Sequence, residues 1–225
     1  GRPFFGGTYF PGTPRHGMPS FRQVLEGVRV AWADRRGDVL DAGARVTEVL
    51  AATRQGAPPD AGPPPAQVLV AAAAAAIEGF DHVHGGWGGA PKFPSSLPVR
   101  LLLRHHRRAR DPESLAMATR TLEKMAAGGI HDQLAGGFHR YSTDAEWLVP
   151  HFEKMLYDNA LLALAYAEAH QATGRRDLAR VVRQTLDYLG RDLTSPEGAL
   201  YSATDADSDG EEGRYFVWDE KEIRA

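Results

Sequence analysis

From about residue 67 onward, helical patterns alternate with connections of two unequal kinds, and this alternation limits the folds open to the chain. Apolar residues recur three and four apart over 67–80, 97–109, 114–127, 152–172 and 177–192, and a sixth such pattern begins near Asp219. Two connections are short and plain: RARDPES after Arg107 and ATGRRD after Gln171. The other three are long and rich in Gly and aromatics: DHVHGGWGGAPKFPSS, the 128–151 loop and TSPEGALYSATDADSDGEEGRYFVW. Consecutive helices pack antiparallel, so connections alternate between the two ends of the assembly. All three long loops are therefore expected on one rim.

The long loops also resemble one another. Gly85-Gly86-Trp87, Gly136-Gly137-Phe138 and Gly198-Ala199-Leu200 recur, and the last two lead into Tyr141-Ser142 and Tyr201-Ser202. A repeat of roughly 50–60 residues built on helical hairpins predicts an array around an axis, an α/α toroid whose rim loops surround a pocket.

Upstream the pattern changes. Residues 3–10 alternate aromatics with Gly and predict a strand, which Pro11-Gly12 ends. Ser20 is an N-cap for a helix with Phe21, Val24, Leu25, Val28 and Trp32 on one face, and a second helical pattern covers 39–50. One strand and two helices cannot bury their own apolar faces, so 1–54 is expected to be the C-terminal part of an α/β domain. QGAPPDAGPPPA over 55–66 predicts a semi-rigid linker, with the toroid over 67–225. On this reading the chain is a fragment of a longer protein, mainly α.

Composition excludes several functions. A net charge of −3 gives no electrostatic case for nucleic acid or an anionic membrane, and no apolar run reaches the ~18 residues of a membrane span. With no Cys there is no thiolate metal site or thiol catalysis in the chain. No P-loop, GxGxxG preceding a helix or HEXXH is present, so neither a cofactor nor a metal is expected. The N-terminus does not resemble a signal peptide, and a cytoplasmic location is expected.

Chemistry concentrates in 128–159, GGIHDQLAGGFHRYSTDAEWLVPHFEKMLYDN, with three histidines and five carboxylates. Pro150 is expected to open a helix and aim His151 into the pocket, with Glu153 as its companion or simply a first-turn acid. Asp158 and Asn159 are polar positions on an otherwise apolar helix and need partners. Asp205-Ala206-Asp207-Ser208-Asp209-Gly210 imitates an EF-hand opening, but position twelve is Phe216 where a bidentate Glu belongs. A rim hairpin lowering Asp205 and Asp207 toward the pocket fits better, with Asp209, Glu211 and Glu212 as a solvated acidic turn. The expected acid/base set is thus His151, Glu153, Asp158 and Asp205. Trp87, Lys92, His139, Arg140, Tyr141, Trp147, Tyr201 and Asp207 are expected to bind substrate. The aromatics of that set, with Phe93 and Phe138, suit sugar faces, although core anchoring is the commoner use of such side chains.

FFGGTYFP, GGWGGAPKFP, the 128–162 stretch and LYSATDADSDGEEGRYFVW resemble the YyaL-type family, which includes the spermatogenesis-associated thioredoxin-like proteins. The resemblance covers nearly everything but the linker. It implies a thioredoxin-like domain followed by an (α/α)6 toroid similar to N-acylglucosamine 2-epimerases and six-hairpin glycosidases, with no reaction assigned. The family normally carries a Cys-containing motif upstream of PFFGGTYFP, at a position before the first residue of this sequence. Two functions follow as expectations. One is a carbohydrate-active or sugar-binding toroid using a small-molecule sugar. The other is a non-catalytic peptide- or protein-binding module, partnered or self-associating through the truncated domain.

Overall fold

The computed structural model describes residues 1–15, 17–53, 62 and 65–224. The chain divides into two compact units, Gly1–Pro63 and Pro64–Ala225. Most of the expected linker, 54–61 with 63 and 64, lies outside the described residues.

The first unit holds α1 (Phe21–Asp34) and α2 (Arg36–Thr53). Ser20 and Gln23 cap α1 reciprocally: the Ser20 hydroxyl accepts from the Gln23 amide at 3.3 Å, and the Ser20 N–H donates to Gln23 Oε1 at 2.9 Å. The expected 3–10 strand is absent among the described residues, because no partner strand is there to satisfy its backbone. Its aromatics gather instead, Phe10 lying 6.4 Å from Phe5 and 5.8 Å from Phe21 between ring centres.

The second unit contains α3 (Ala66–Glu78), α4 (Ser96–Ala109), α5 (Pro112–Ala127), α6 (Leu156–Thr173), α7 (Arg176–Asp192) and the short α8 (Glu220–Arg224). α4 packs against α3, α5 and α6, and α6 against α7. The core runs through this set, with Leu102, Leu122, Met125, Leu162, Tyr166 and Val181 all buried. Tyr166 donates its hydroxyl to the Leu122 carbonyl at 2.7 Å, tying α6 to α5. α6 is apolar nearly all round, as an inner helix shared by neighbours must be.

Six two-residue strands lie in the long loops: β1 (Tyr141–Ser142), β2 (Pro150–His151), β3 (Lys154–Met155), β4 (Ala203–Thr204), β5 (Asp207–Ser208) and β6 (Glu211–Glu212). They pair antiparallel as β1–β2, β3–β4 and β5–β6. An isolated bridge joins Lys92 to Ser142, and β3–β4 joins Lys154 to Thr204. The first long loop is thus hydrogen-bonded to the second and the second to the third, so all three share one rim. No described helix is long and apolar enough to cross a membrane.

Two local expectations are corrected. Residues 152–155 are extended, because the β3–β4 pairing claims their backbone, and α6 begins only at Leu156. The acidic motif is not an EF-hand; of its expected flanking strands, 200–203 is a strand only at Ala203, in β4, and 214–218 is not a strand. β5 and β6 close on Asp209 and Gly210, both at positive φ (55° and 81°), which is a type I′ hairpin tip.

Candidate functional site

The rim is built on a turn used twice. In each case an aspartate bonds its own backbone: Asp81 Oδ1 accepts from Val83 and His84 N–H at 2.9 and 3.0 Å, and Asp132 Oδ1 from Leu134 and Ala135 at 3.0 and 2.8 Å. The glycine pairs that close these turns, Gly85-Gly86 and Gly136-Gly137, all have φ between 71° and 80°. A buried lysine then clamps each turn. Lys92 Nζ donates to Asp81 at 2.5 Å and lies 5.1 Å from the centre of the Trp147 ring. Lys154 Nζ donates to Asp132 at 2.7 Å and to the Gly136 carbonyl at 2.9 Å, with the Tyr188 ring 4.5 Å away. Burial pushes Asp132 upward, but Lys154 and the turn amides outweigh it and hold the carboxyl below its usual range. A third, one-residue-shorter turn uses Ser195, whose hydroxyl accepts from Ala199 N–H at 3.2 Å.

Against this frame stands a cluster of charged and aromatic side chains. The β1–β2 register sets Tyr141 opposite His151, and their rings stack at 5.0 Å; the Phe93 ring lies 4.8 Å from Tyr141, tilted 35° to it. His151 Nδ1 donates to Glu212 Oε1 at 2.5 Å, and its Nε2 lies 3.6 Å from Glu153 Oε2. Arg140 donates to that same Glu153 oxygen at 2.8 Å. Asp158 sits in the first turn of α6, where burial pushes its carboxyl up to about 6; Arg140 opposes this and Glu153 adds to it.

The structure therefore brings together His151, Glu153, Asp158, Arg140 and Tyr141. It keeps Phe93 of the expected aromatics beside them and adds Glu212, expected in a solvated turn. The other expected residues lie elsewhere. Trp147 is fully buried in the core, its indole N–H donating to the His84 carbonyl at 2.9 Å, and Phe138 is buried beside it. Lys92 is fully buried in its ion pair and offers no free charge. Trp87 packs against the core and donates to the Ala76 carbonyl at 2.7 Å. His139 is buried with Nδ1 bonded to the Phe152 carbonyl at 2.9 Å, and burial drives its pKa down to about 4. Tyr201, Asp205 and Asp207 are exposed, and the hairpin directs Glu212 to His151 in place of the two aspartates. Asn159 is buried and reads the backbone of Phe138 at both its N–H and C=O, at 2.7 and 3.0 Å. Among the described residues no three His or carboxylate side chains are grouped to hold a metal.

Comparison with known proteins agrees with this architecture. Residues 1–51 match the Thioredox_DsbH family, described as protein of unknown function, DUF255. Spermatogenesis-associated protein 20 of Homo sapiens is 41% identical over 237 residues, covering 99% of this chain. The chain is a homologue of the spermatogenesis-associated, thioredoxin-like proteins. It spans about 30% of the length of the curated relatives it matches. Solved structures similar to this chain include a sugar epimerase from a ruminal bacterium, with TM-score 0.52, 17% identity, 60% of this chain and 37% of the other. Cellobiose 2-epimerase from Spirochaeta thermophila is similar at TM-score 0.51 and 22% identity, over 61% and 39% of the two chains. At such identities the likeness shows the fold alone, part of a toroid of helical hairpins, while the thioredoxin-like portion rests on the family match over residues 1–51.

Proposed function

We propose that the rim cluster binds a small sugar and acts on it by acid/base chemistry, in the manner of an epimerase- or glycosidase-like toroid. The observation that carries this reading is His151 held between Glu212 and Glu153 beside Tyr141 and the exposed Phe93 ring. The exposed Phe93 ring offers a face to a sugar, and Arg140 with the carboxylates offers partners to its hydroxyls. Asp158, which retains its proton to about pH 6, is a carboxylic acid poised to give or take a proton near neutrality. Similarity to proteins named as sugar epimerases supports the substrate class. In this reading residues 1–54 are the end of a thioredoxin-like domain, 55–66 the linker and 67–225 the first part of the toroid.

A second reading, a peptide- or protein-binding module, is favoured by the exposed apolar face of α1, where Phe21 and Leu25 are each about half exposed. One experiment separates the two: a thermal-shift panel of mono- and disaccharides beside apolar peptides. A melting-point rise with a saccharide that His151→Gln removes supports the sugar site. A rise with peptides alone rejects it.

A further inference from the structure

At the end of the second unit opposite the rim, α4 and α6 finish in the same way. His106 Nδ1 donates to the Asp111 carbonyl beyond α4, and His170 Nδ1 to the Arg175 carbonyl beyond α6, each at 2.7 Å. Each helix closes through a residue in the left-handed region whose N–H returns to that histidine's carbonyl. After α6 this residue is Gly174, at φ 71°; after α4 it is Arg110, at φ 58°. A side chain is held there at a cost that glycine avoids, and such a cost is commonly kept where the side chain has a function. Arg175, on the α6 turn, is paired with Glu123 and Asp177. Around α4 the carboxylates run short. Glu168 Oε1 accepts from both Arg100 and Arg104, at 2.8 and 2.9 Å, while among the described residues Arg107 and Arg110 make no ion pair.

Arg104, Arg107 and Arg110 line one side of a cleft of about 750 Å³, with Glu168 and Gln171 of α6 on the other. All three arginines are exposed, so their guanidinium groups are open to a ligand. We infer that this cleft binds a small organic phosphate monoester as its dianion. Arg100 offsets the charge of Glu168, which leaves the three guanidinium groups of the cleft uncompensated. Each guanidinium presents a fork that fits phosphate oxygens, and three terminal oxygens can accept from three arginines where a carboxylate has only two. The dipoles of α4 and α6 end negative here, about half a charge each, so the anion is held by the side chains and kept off the backbone. A cleft of this volume has room for the organic group as well as the phosphate. The site is independent of the sugar reading, since no rim-cluster side chain lines it.

Phenyl phosphate and inorganic phosphate, the same anion with and without an organic group, are the probes. Each is titrated calorimetrically into the whole chain at about pH 7.5, where phosphate monoesters are dianions, and ~0.15 M salt, where diffuse surface attraction is screened. Saturable binding of phenyl phosphate is expected, with inorganic phosphate ~tenfold weaker for want of the apolar contact. Arg110→Gly should weaken phenyl phosphate ~tenfold or more, one lost charge-assisted contact, while the free protein melts no lower than wild type. Arg107→Gln should weaken it similarly and provides the test if Arg110→Gly does not fold. Arg108→Gln removes the same charge from the same helix, but Arg108 does not line this cleft, so affinity should stay within ~twofold. Absence of saturable binding, equal affinity for the two probes, or a loss in Arg108→Gln as large as that in Arg110→Gly overturns the assignment.

Discussion

Glu212 accepts a hydrogen bond from His151 at 2.5 Å across 61 residues of sequence, and this contact fastens the β5–β6 hairpin to the rim cluster. The hairpin also sets Asp207 opposite Glu212 in register, two like charges on one face. Such a pair is unfavourable by itself. His151 supplies the compensating partner.

The two lysine clamps should dominate the stability of the rim. Lys154→Met is expected to cost ~3–5 kcal/mol, the usual cost of stranding one member of a buried ion pair. Lys92→Met should cost less, since the side chain of Asp81 is 21% exposed against 11% for Asp132. Urea unfolding of both variants checks the order, and adding Asp132→Asn to Lys154→Met should recover a large part of the loss.

Arg110 ends α4 in the left-handed region at φ 58°, in the place that Gly174 occupies at the end of α6. Arg110→Gly should therefore be stabilising by ~1 kcal/mol, the cost of a side chain in that conformation. A melting point that falls on this substitution would contradict the assignment.

Asp158 makes stability depend on pH in a stated direction. The folded chain keeps this proton to about pH 6, whereas the unfolded chain releases it near 3.8. Stability is lost as pH rises through that window, and the deficit is constant above it. Asp158→Asn should be more stable than wild type at about pH 8 by ~1 kcal/mol, a figure reduced for the partial exposure of the side chain. The gain should vanish below about pH 4.

His131 and His139 act in the opposite sense. Burial holds both near a pKa of about 4, against an ordinary 6.5. The stability they contribute is full above 6.5 and is lost as pH falls toward 4, by up to ~3 kcal/mol for each ring. Denaturant midpoints measured across this range should fall steeply, and less steeply in His139→Gln.

The helices were legible because apolar spacing at three and four residues survives in any packing. The shared rim was legible from the alternation of loop lengths. The repeated turn was half legible. The glycine pairs and following aromatics recur in the sequence, and so does the aspartate five residues before the second glycine, the signal that would have identified Asp81 and Asp132. The clamps were hidden because Lys92 follows its aspartate by 11 residues and Lys154 by 22. Trp147 reads like any loop aromatic until Gly86 is seen against it, where a Cβ would stand 2.7 Å from the indole. Glu212 reads as one acid in an acidic run, and only the hairpin register gives it to His151.

If the rim cluster built on His151 is a sugar site, His151 carries part of the binding energy. Isothermal titration of the saccharide that most raises the melting point, into wild type, His151→Gln and Glu212→Gln, tests it most directly. At least ~tenfold weaker binding in His151→Gln, with cooperative unfolding retained in the free protein, is the predicted result, corresponding to one lost charge-assisted hydrogen bond. Glu212→Gln should fall between the two, since it leaves the ring in place and removes only the charge beside it. Equal affinity in all three proteins would contradict the claim.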